Sequence, residues 1–211
     1  AGVTIGTYLK QLGFNVDYAP VADVLTNPGN TAIGTRSFGS DASMVADMVI
    51  KELEGLSSQG VFGAVKHFPG QGGVSGDSHD GAVTLDKSLE ELMQTELVPF
   101  QKALENGVSF VMVGHISVPQ VVGDNTPASL SQMMVSNVLR EQLGYQGIVI
   151  TDAMNMGAVT GNYTADQAAV MAVNAGVDMI LMPQDYETAY NGLLQAVSYT
   201  HLRAHETELH L

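Results

Sequence analysis

Short β-branched apolar runs alternate along this chain with longer stretches in which apolar residues recur at helical spacing, the pattern of parallel strands joined by crossover helices. The runs predict strands over residues 15–21, 60–65, 109–113, 147–151 and 177–182. The stretches between them predict helices over 41–59, 85–106, 131–143, 164–174 and 185–197, with Asp41, Asp86 and Ser131 as caps near their starts. Gly60, Gly107, Gly144 and Gly176 fall at or just past the ends of helices and shortly before the next strand, where a short loop uses glycine to leave the helix. Five repeats of one β/α unit fit either a (β/α)8 barrel or a doubly wound sheet. Both build their sites from loops at the carboxyl ends of the strands.

The residues that end the predicted strands therefore matter most, and four of them are ionisable. The first strand runs into Val21-Ala22-Asp23, the second into Lys66-His67-Phe68-Pro69, the third into Gly114-His115 and the fourth into Thr151-Asp152. Four such endings in register predict a polar pocket at one rim. Asp152 there suits a nucleophile or an electrostatic stabiliser, with a helix cap as the alternative. Lys66 and His67 are adjacent, so in a regular strand they point to opposite faces; both reach one ligand only if the backbone bends, and Pro69 makes a bend credible.

The loop that follows holds Gly70, Gly72, Gly73 and Gly76 but matches neither a dinucleotide fingerprint nor a phosphate-binding loop. It carries Asp77-x-His79, in which a carboxylate can fix the tautomer of the imidazole and raise the basicity of its free nitrogen, a proton shuttle near neutral pH. The alternatives for Asp77, His79 and Asp80 are ordinary loop polarity or metal binding. The sequence supplies no third imidazole or thiolate in the loop for a metal. Arg36, in Gly34-Thr35-Arg36-Ser37-Phe38-Gly39, can fork onto hydroxyl or carboxylate oxygens or take a salt bridge. His115 and Asp23 fit supporting hydrogen bonds, and the methionines fit core filling.

Composition narrows the classes further. The 211 residues carry 22 acidic against 8 basic side chains, a formal charge of −14, so the field repels nucleic acid and no basic cluster offsets it. Cysteine is absent, which excludes disulfides, thiolate metal sites and cysteine nucleophiles. No apolar run reaches the roughly 18 residues of a membrane-spanning helix, and the opening AGVTIGTYLK has no signal-peptide pattern. A full barrel takes roughly 250 residues, so five strands predict an incomplete domain. Residues 198–211, SYTHLRAHETELHL, drop the glycine punctuation and hold three of the six histidines; they read as a foreign, frame-shifted or disordered tail, or else a polar terminal helix.

Taken together, Ala19-Pro20-Val21-Ala22-Asp23-Val24, Gly34-Thr35-Arg36-Ser37-Phe38-Gly39, Lys66-His67-Phe68-Pro69-Gly70, Asp77-Ser78-His79, Pro127-Ala128-Ser129-Leu130-Ser131 and Thr151-Asp152-Ala153-Met154 resemble the family 3 glycoside hydrolases, in their β-N-acetylglucosaminidase branch, and keep that family's order. The resemblance implies an α/β fold of (β/α)8 TIM-barrel type, with about strands 3 to 7 present in residues 1–197. The family's first two strands, with their acidic substrate loop, and its eighth strand have no counterpart. It further implies a retaining exo-β-N-acetylglucosaminidase acting on cell-wall muropeptides or chito-oligosaccharides, with a phosphorylase, another β-glycosidase or an inactive sugar-binding barrel as alternatives. In that reading Asp152 is the nucleophile, His79 with Asp77 the acid/base, and Arg36, Lys66 and His67 hold the sugar hydroxyls. The partner implied is a carbohydrate, with no cofactor, no metal, no nucleic acid and no membrane span; oligomeric state stays open. The compartment also stays open, secreted or cell-surface against cytoplasmic. Gln71 stands where the family often has His and Ala153 where many members have a second Asp, and both are expected to tune the pocket.

Overall fold

The structure is a computed structural model and describes residues 1–198; the tail expected beyond them lies outside the described residues. In chain order the elements are α1 (Gly2–Gln11), β1 (Val16–Asp17), α2 (Ala42–Ser58), β2 (Phe62–Phe68), β3 (Val83–Thr84), α3 (Leu89–Gln94), α4 (Val98–Glu105), β4 (Phe110–Val113), β5 (Ile116–Ser117), α5 (Pro119–Val122), β6 (Ile148–Thr151), α6 (Gly157–Thr160), α7 (Ala165–Ala175) and α8 (Tyr186–Ser198). A π-helix, Met133–Gln142, lies between α5 and β6. Strands β1, β2, β4 and β6 form one parallel sheet in that order, and β3 pairs with β5 in a small parallel ladder. Among the described residues the sheet does not close into a barrel.

In a parallel sheet, residues paired in register share a face. Val65, Val111 and Val149 belong to one paired row, and all three join a buried cluster with Val45 and Val49 of α2 and Phe100 of α4. Phe68 meets Phe100 edge-on at 5.5 Å between ring centroids. Each such large apolar side chain withdrawn from water contributes about 1.5–3 kcal/mol, so this row holds the helical layer to the sheet. The opposite face carries Ala64, Met112 and Ile150, and alternation places Lys66 on it as well.

Most predicted elements are present. Asp41 caps α2 by accepting from the Met44 N–H at 2.7 Å, and Gly60, Gly107, Gly144 and Gly176 stand at φ +74°, +72°, +73° and +104°, as helix exits require. Two expectations need correction, and one element was not foreseen. The helix over 85–106 is two helices, because residues 83–84 pair with β5, Ser88 and not Asp86 caps α3 in a box with Glu91, and Thr95 leaves helical geometry at φ −138°. Pro99 then sits in the first turn of α4, where its missing N–H costs nothing. The strand over 177–182 is reduced to a single bridge between Ile150 and Met179; the Leu181 N–H goes to the side-chain hydroxyl of Thr151 at 2.9 Å and not to a backbone carbonyl of β6. Finally, α1 was not predicted: Gly2 and Gly6 let it lie against α2, a packing signal invisible to apolar periodicity.

The break between α3 and α4 turns Glu96 inward. Its side chain is fully buried and its Oε1 takes a 2.6 Å bond from the Lys87 ammonium. Above it lies the glycine-rich loop, close enough that a Cβ at Gly70 would meet the Glu96 Cβ at 2.8 Å.

Candidate active site

The strand ends do gather at one rim. Asp152 follows β6, its N–H bonded to the Val113 carbonyl of β4 at 2.9 Å. Its Oδ1 accepts from the Ala153 N–H at 2.8 Å, and Oδ2 stands 3.8 Å from His67 Nε2. The next helix, α6, is capped at Met156 without a side-chain bond, so the helix-cap alternative for Asp152 falls. The carboxylate is only 16% exposed, yet among the described residues its one hydrogen bond is to its own neighbour.

His67 is oriented by Asp23, whose side chain is fully buried. Asp23 Oδ2 lies 2.8 Å from His67 Nδ1, while Oδ1 accepts the N–H groups of His67 at 3.3 Å and Gln71 at 2.6 Å. With Nδ1–H held by a carboxylate, Nε2 is left facing Asp152. The register between β2 and β4 shifts between Val65 and Phe68, breaking the alternation that would separate Lys66 from His67. The Lys66–His67 and Phe68–Pro69 peptide bonds are cis. Burial pushes the Lys66 ammonium below its ordinary pKa; the Asp152 carboxylate pulls it back up and the Arg36 guanidinium opposes it. His67 thus faces Asp152, and Lys66 lies within reach of its charge.

His115, at the end of β4, is buried. Its Nε2 lies 3.0 Å from the Ala153 carbonyl, which can only accept, so Nδ1 accepts from the Ser129 hydroxyl at 2.7 Å. Burial pushes its pKa down, against the pull of Asp152. A neutral imidazole in one tautomer thereby supports the chain immediately after Asp152.

The Asp77/His79 pair lies in the loop beyond β2. Asp77 Oδ1 takes the backbone N–H of His79 at 2.9 Å and lies 2.7 Å from its Nδ1. Those two bonds, the backbone one first, hold the Asp77 carboxyl below its ordinary pKa, with Arg36 adding a smaller pull. His79 is 65% exposed, with Nε2 turned to no partner among the described residues. The loop is fastened to the segment after Asp152: the Gly157 N–H donates to the His79 carbonyl at 3.0 Å and the Ala158 N–H to the Ser78 carbonyl at 3.1 Å. Arg36 ends a short 3-10 turn and gives its Nη2 to the Ala32 carbonyl at 2.6 Å. Among the described residues no group of three or more His, Asp or Glu is arranged to hold a metal ion. Sequence reasoning expected Gln71 to tune the pocket but missed its partner, the Ser78 hydroxyl to which its Nε2 donates at 3.1 Å, and it missed the role of Ser129.

Parallel β/α units whose strand ends converge on two aspartates, a lysine and two histidines define a barrel-type α/β domain with its polar site at the carboxyl rim. The chain belongs to glycosyl hydrolase family 3: the model of that family's N-terminal domain matches residues 1–209. It is 40% identical over 182 residues to the β-hexosaminidase LpqI of Mycobacterium tuberculosis, covering 83% of this chain and 46% of that protein. It is 34% identical over 192 residues to β-hexosaminidase A of Pseudoalteromonas piscicida, covering 85% and 32%. The solved family 3 β-N-acetylglucosaminidase from Paenibacillus sp. FPU-7 superposes with a TM-score of 0.92 at 39% identity, over 94% of this chain and 38% of that one. The chain thus spans between about a third and a half of the length of these relatives.

Proposed function

We propose that this chain carries the catalytic machinery of a retaining exo-β-N-acetylglucosaminidase, which removes terminal β-linked N-acetylglucosamine from cell-wall muropeptides or chito-oligosaccharides. The observation that carries the reading is Asp152: a shielded carboxylate at a strand end, with Oδ2 uncommitted to any helix and 3.8 Å from an oriented imidazole. The names of the relatives supply the sugar.

In the first step Asp152 attacks the anomeric carbon as the bond to the leaving oxygen breaks, and His79 in its protonated form delivers its proton to that oxygen. The products are a glycosyl ester on Asp152 and the free aglycone. In the second step neutral His79 takes a proton from water, the resulting hydroxide attacks the same carbon, and the ester bond breaks to restore Asp152, with net retention. Asp77 stays ionised at neutral pH and stabilises the imidazolium that exists before the first step and is regenerated by the second. An imidazole in place of the usual second carboxylate removes one negative charge from beside the nucleophile. Arg36, Lys66 and His67 hold the sugar hydroxyls and so fix the ring for attack at its anomeric carbon.

Asp152→Asn is the direct test. Turnover of an aryl N-acetylglucosaminide should fall by several orders of magnitude, and azide, entering from the face the carboxylate served, should restore part of it as the glycosyl azide of inverted configuration. Unchanged turnover ends the proposal. Running the wild type with and without inorganic phosphate separates hydrolysis, which gives free sugar, from a phosphorylase, which gives the sugar phosphate.

A further inference from the structure

We infer that Gln71 is a positioning residue that ties the acid/base loop to the nucleophile side of the site. Three bonds converge on it. Its backbone N–H donates to Asp23 Oδ1 at 2.6 Å, its carbonyl accepts from the Asn30 side chain at 2.6 Å, and its side-chain amide donates to the Ser78 hydroxyl at 3.1 Å. Asp23 is the carboxylate that orients His67 toward Asp152, and Ser78 stands between Asp77 and His79 in the chain. Gln71 and Ser78 are both buried. One residue therefore joins, through two hydrogen bonds, the group that faces the nucleophile to the segment that carries the proton donor.

The surroundings make this joint a point of leverage. On its near side the loop is pressed between two walls. A Cβ at Gly72 would overlap the Val24 carbonyl, and one at Gly70 would meet Glu96. On its far side, residues 75–77 have little to hold them apart from the Asn27 amide on Ser75 and the internal Asp77 turn. Ser78 is where the loop regains an anchor, with its carbonyl bonded to Ala158 and its hydroxyl to Gln71. Loss of the Gln71 amide leaves a buried hydroxyl without its donor and frees the stretch leading to His79. The other ring atoms of His79 are untouched by the change, so its chemistry is intact and only its placement suffers.

This inference rests on the glycosidase reading for its kinetic consequence but has a readout of its own. Gln71→Met keeps the length of the side chain and removes the donor. In hydrogen–deuterium exchange on the full chain, amides of residues 78–81 should exchange about tenfold faster, the size expected when about one hydrogen bond is lost, while α2 and α7 keep their protection. In steady-state kinetics the glycosylation rate on a substrate with a poor leaving group should fall about tenfold more than on an aryl glycoside with a good one, because only the former needs the proton. Gln71→His, which retains an N–H donor, should restore both. If Gln71→Met unfolds the protein, Ser78→Ala, which removes the same bond from the other end, decides the matter on the same two measurements. Unchanged exchange over 78–81, or equal losses on both substrates, overturns the positioning role and leaves the glycosidase reading standing. Full turnover in Asp152→Asn would overturn that reading and leave the exchange result intact.

Discussion

His79 and Asp152 are prepared by opposite means. Asp152 is shielded, anchored through its own backbone to β4 and flanked by an oriented histidine, whereas His79 is exposed and depends on Asp77 and on a loop for its position. That division suits the roles proposed for them, a nucleophile that must hold one line of attack and a proton carrier that must serve leaving group and water in turn. His79→Ala should therefore slow glycosylation of poor-leaving-group substrates by about 10²–10⁴-fold, the usual scale of general acid catalysis, and affect activated aryl glycosides far less. Single-turnover rates on the two substrate classes would decide it, and equal losses would reduce His79 to a structural role. At this scale the chain was readable where chemistry and position coincide. Asp23, Lys66, His67, His115 and Asp152 announce themselves by ending apolar strands, and Asp77-x-His79 by its spacing. Ser129 did not, and Gln71 drew notice only through the family resemblance, because the bonds of a neutral amide and a hydroxyl become legible only once their partners, 7 and 14 residues away along the chain, are known.

Among the elements, the glycine loop after β2 is the tightest piece of construction. Gly72 has no room for a side chain because the Val24 carbonyl already occupies the place of its Cβ, and backbone yields less readily than a side-chain tip. Gly72→Ala should lower stability by about 1–3 kcal/mol or more, as overpacking does, and should lower activity beyond that at temperatures where the variant is still folded. Urea midpoints beside kcat would show both; a variant as stable and active as wild type would mean the loop has an alternative path. The break between α3 and α4 belongs to the same account. Apolar spacing continued smoothly across Thr95 and concealed it, yet the break is what turns the buried Glu96 beneath this loop. The reduced strand near Met179 has the converse cause: its apolar run is long enough for a strand, but pairing needs a neighbour, and β6 accepts it through one bridge alone.

For the molecule as a whole, an excess of acid is the governing electrostatic fact, and Glu52 shows its cost locally. Burial raises the pKa of its carboxyl, and the Asp17 carboxylate raises it further. A folded-state value above the unfolded one means that the stability tied to this group is fully present below the ordinary glutamate pKa of 4.5 and is lost as pH rises through the raised value. Glu52→Gln should thus move the urea midpoint upward at pH 7 and hardly at all near pH 4. A gain of equal size at both pH values would show that the effect is packing and not charge.

What the amino-acid sequence determined alone was the class of fold and which ionisable groups stand at the ends of its strands. Both are local properties: apolar runs have a period, and a chemical group is present or absent at a strand end. What the tertiary structure decided was commitment. It left Asp152 free of any helix, set His67 between Asp23 and Asp152 at a register shift in β2, and hung the His79 loop on Gln71 and the start of α6. Such choices depend on hydrogen-bond partners brought together from distant segments. Each donor or acceptor can satisfy only a few partners, so its role is settled by whichever groups folding delivers to it.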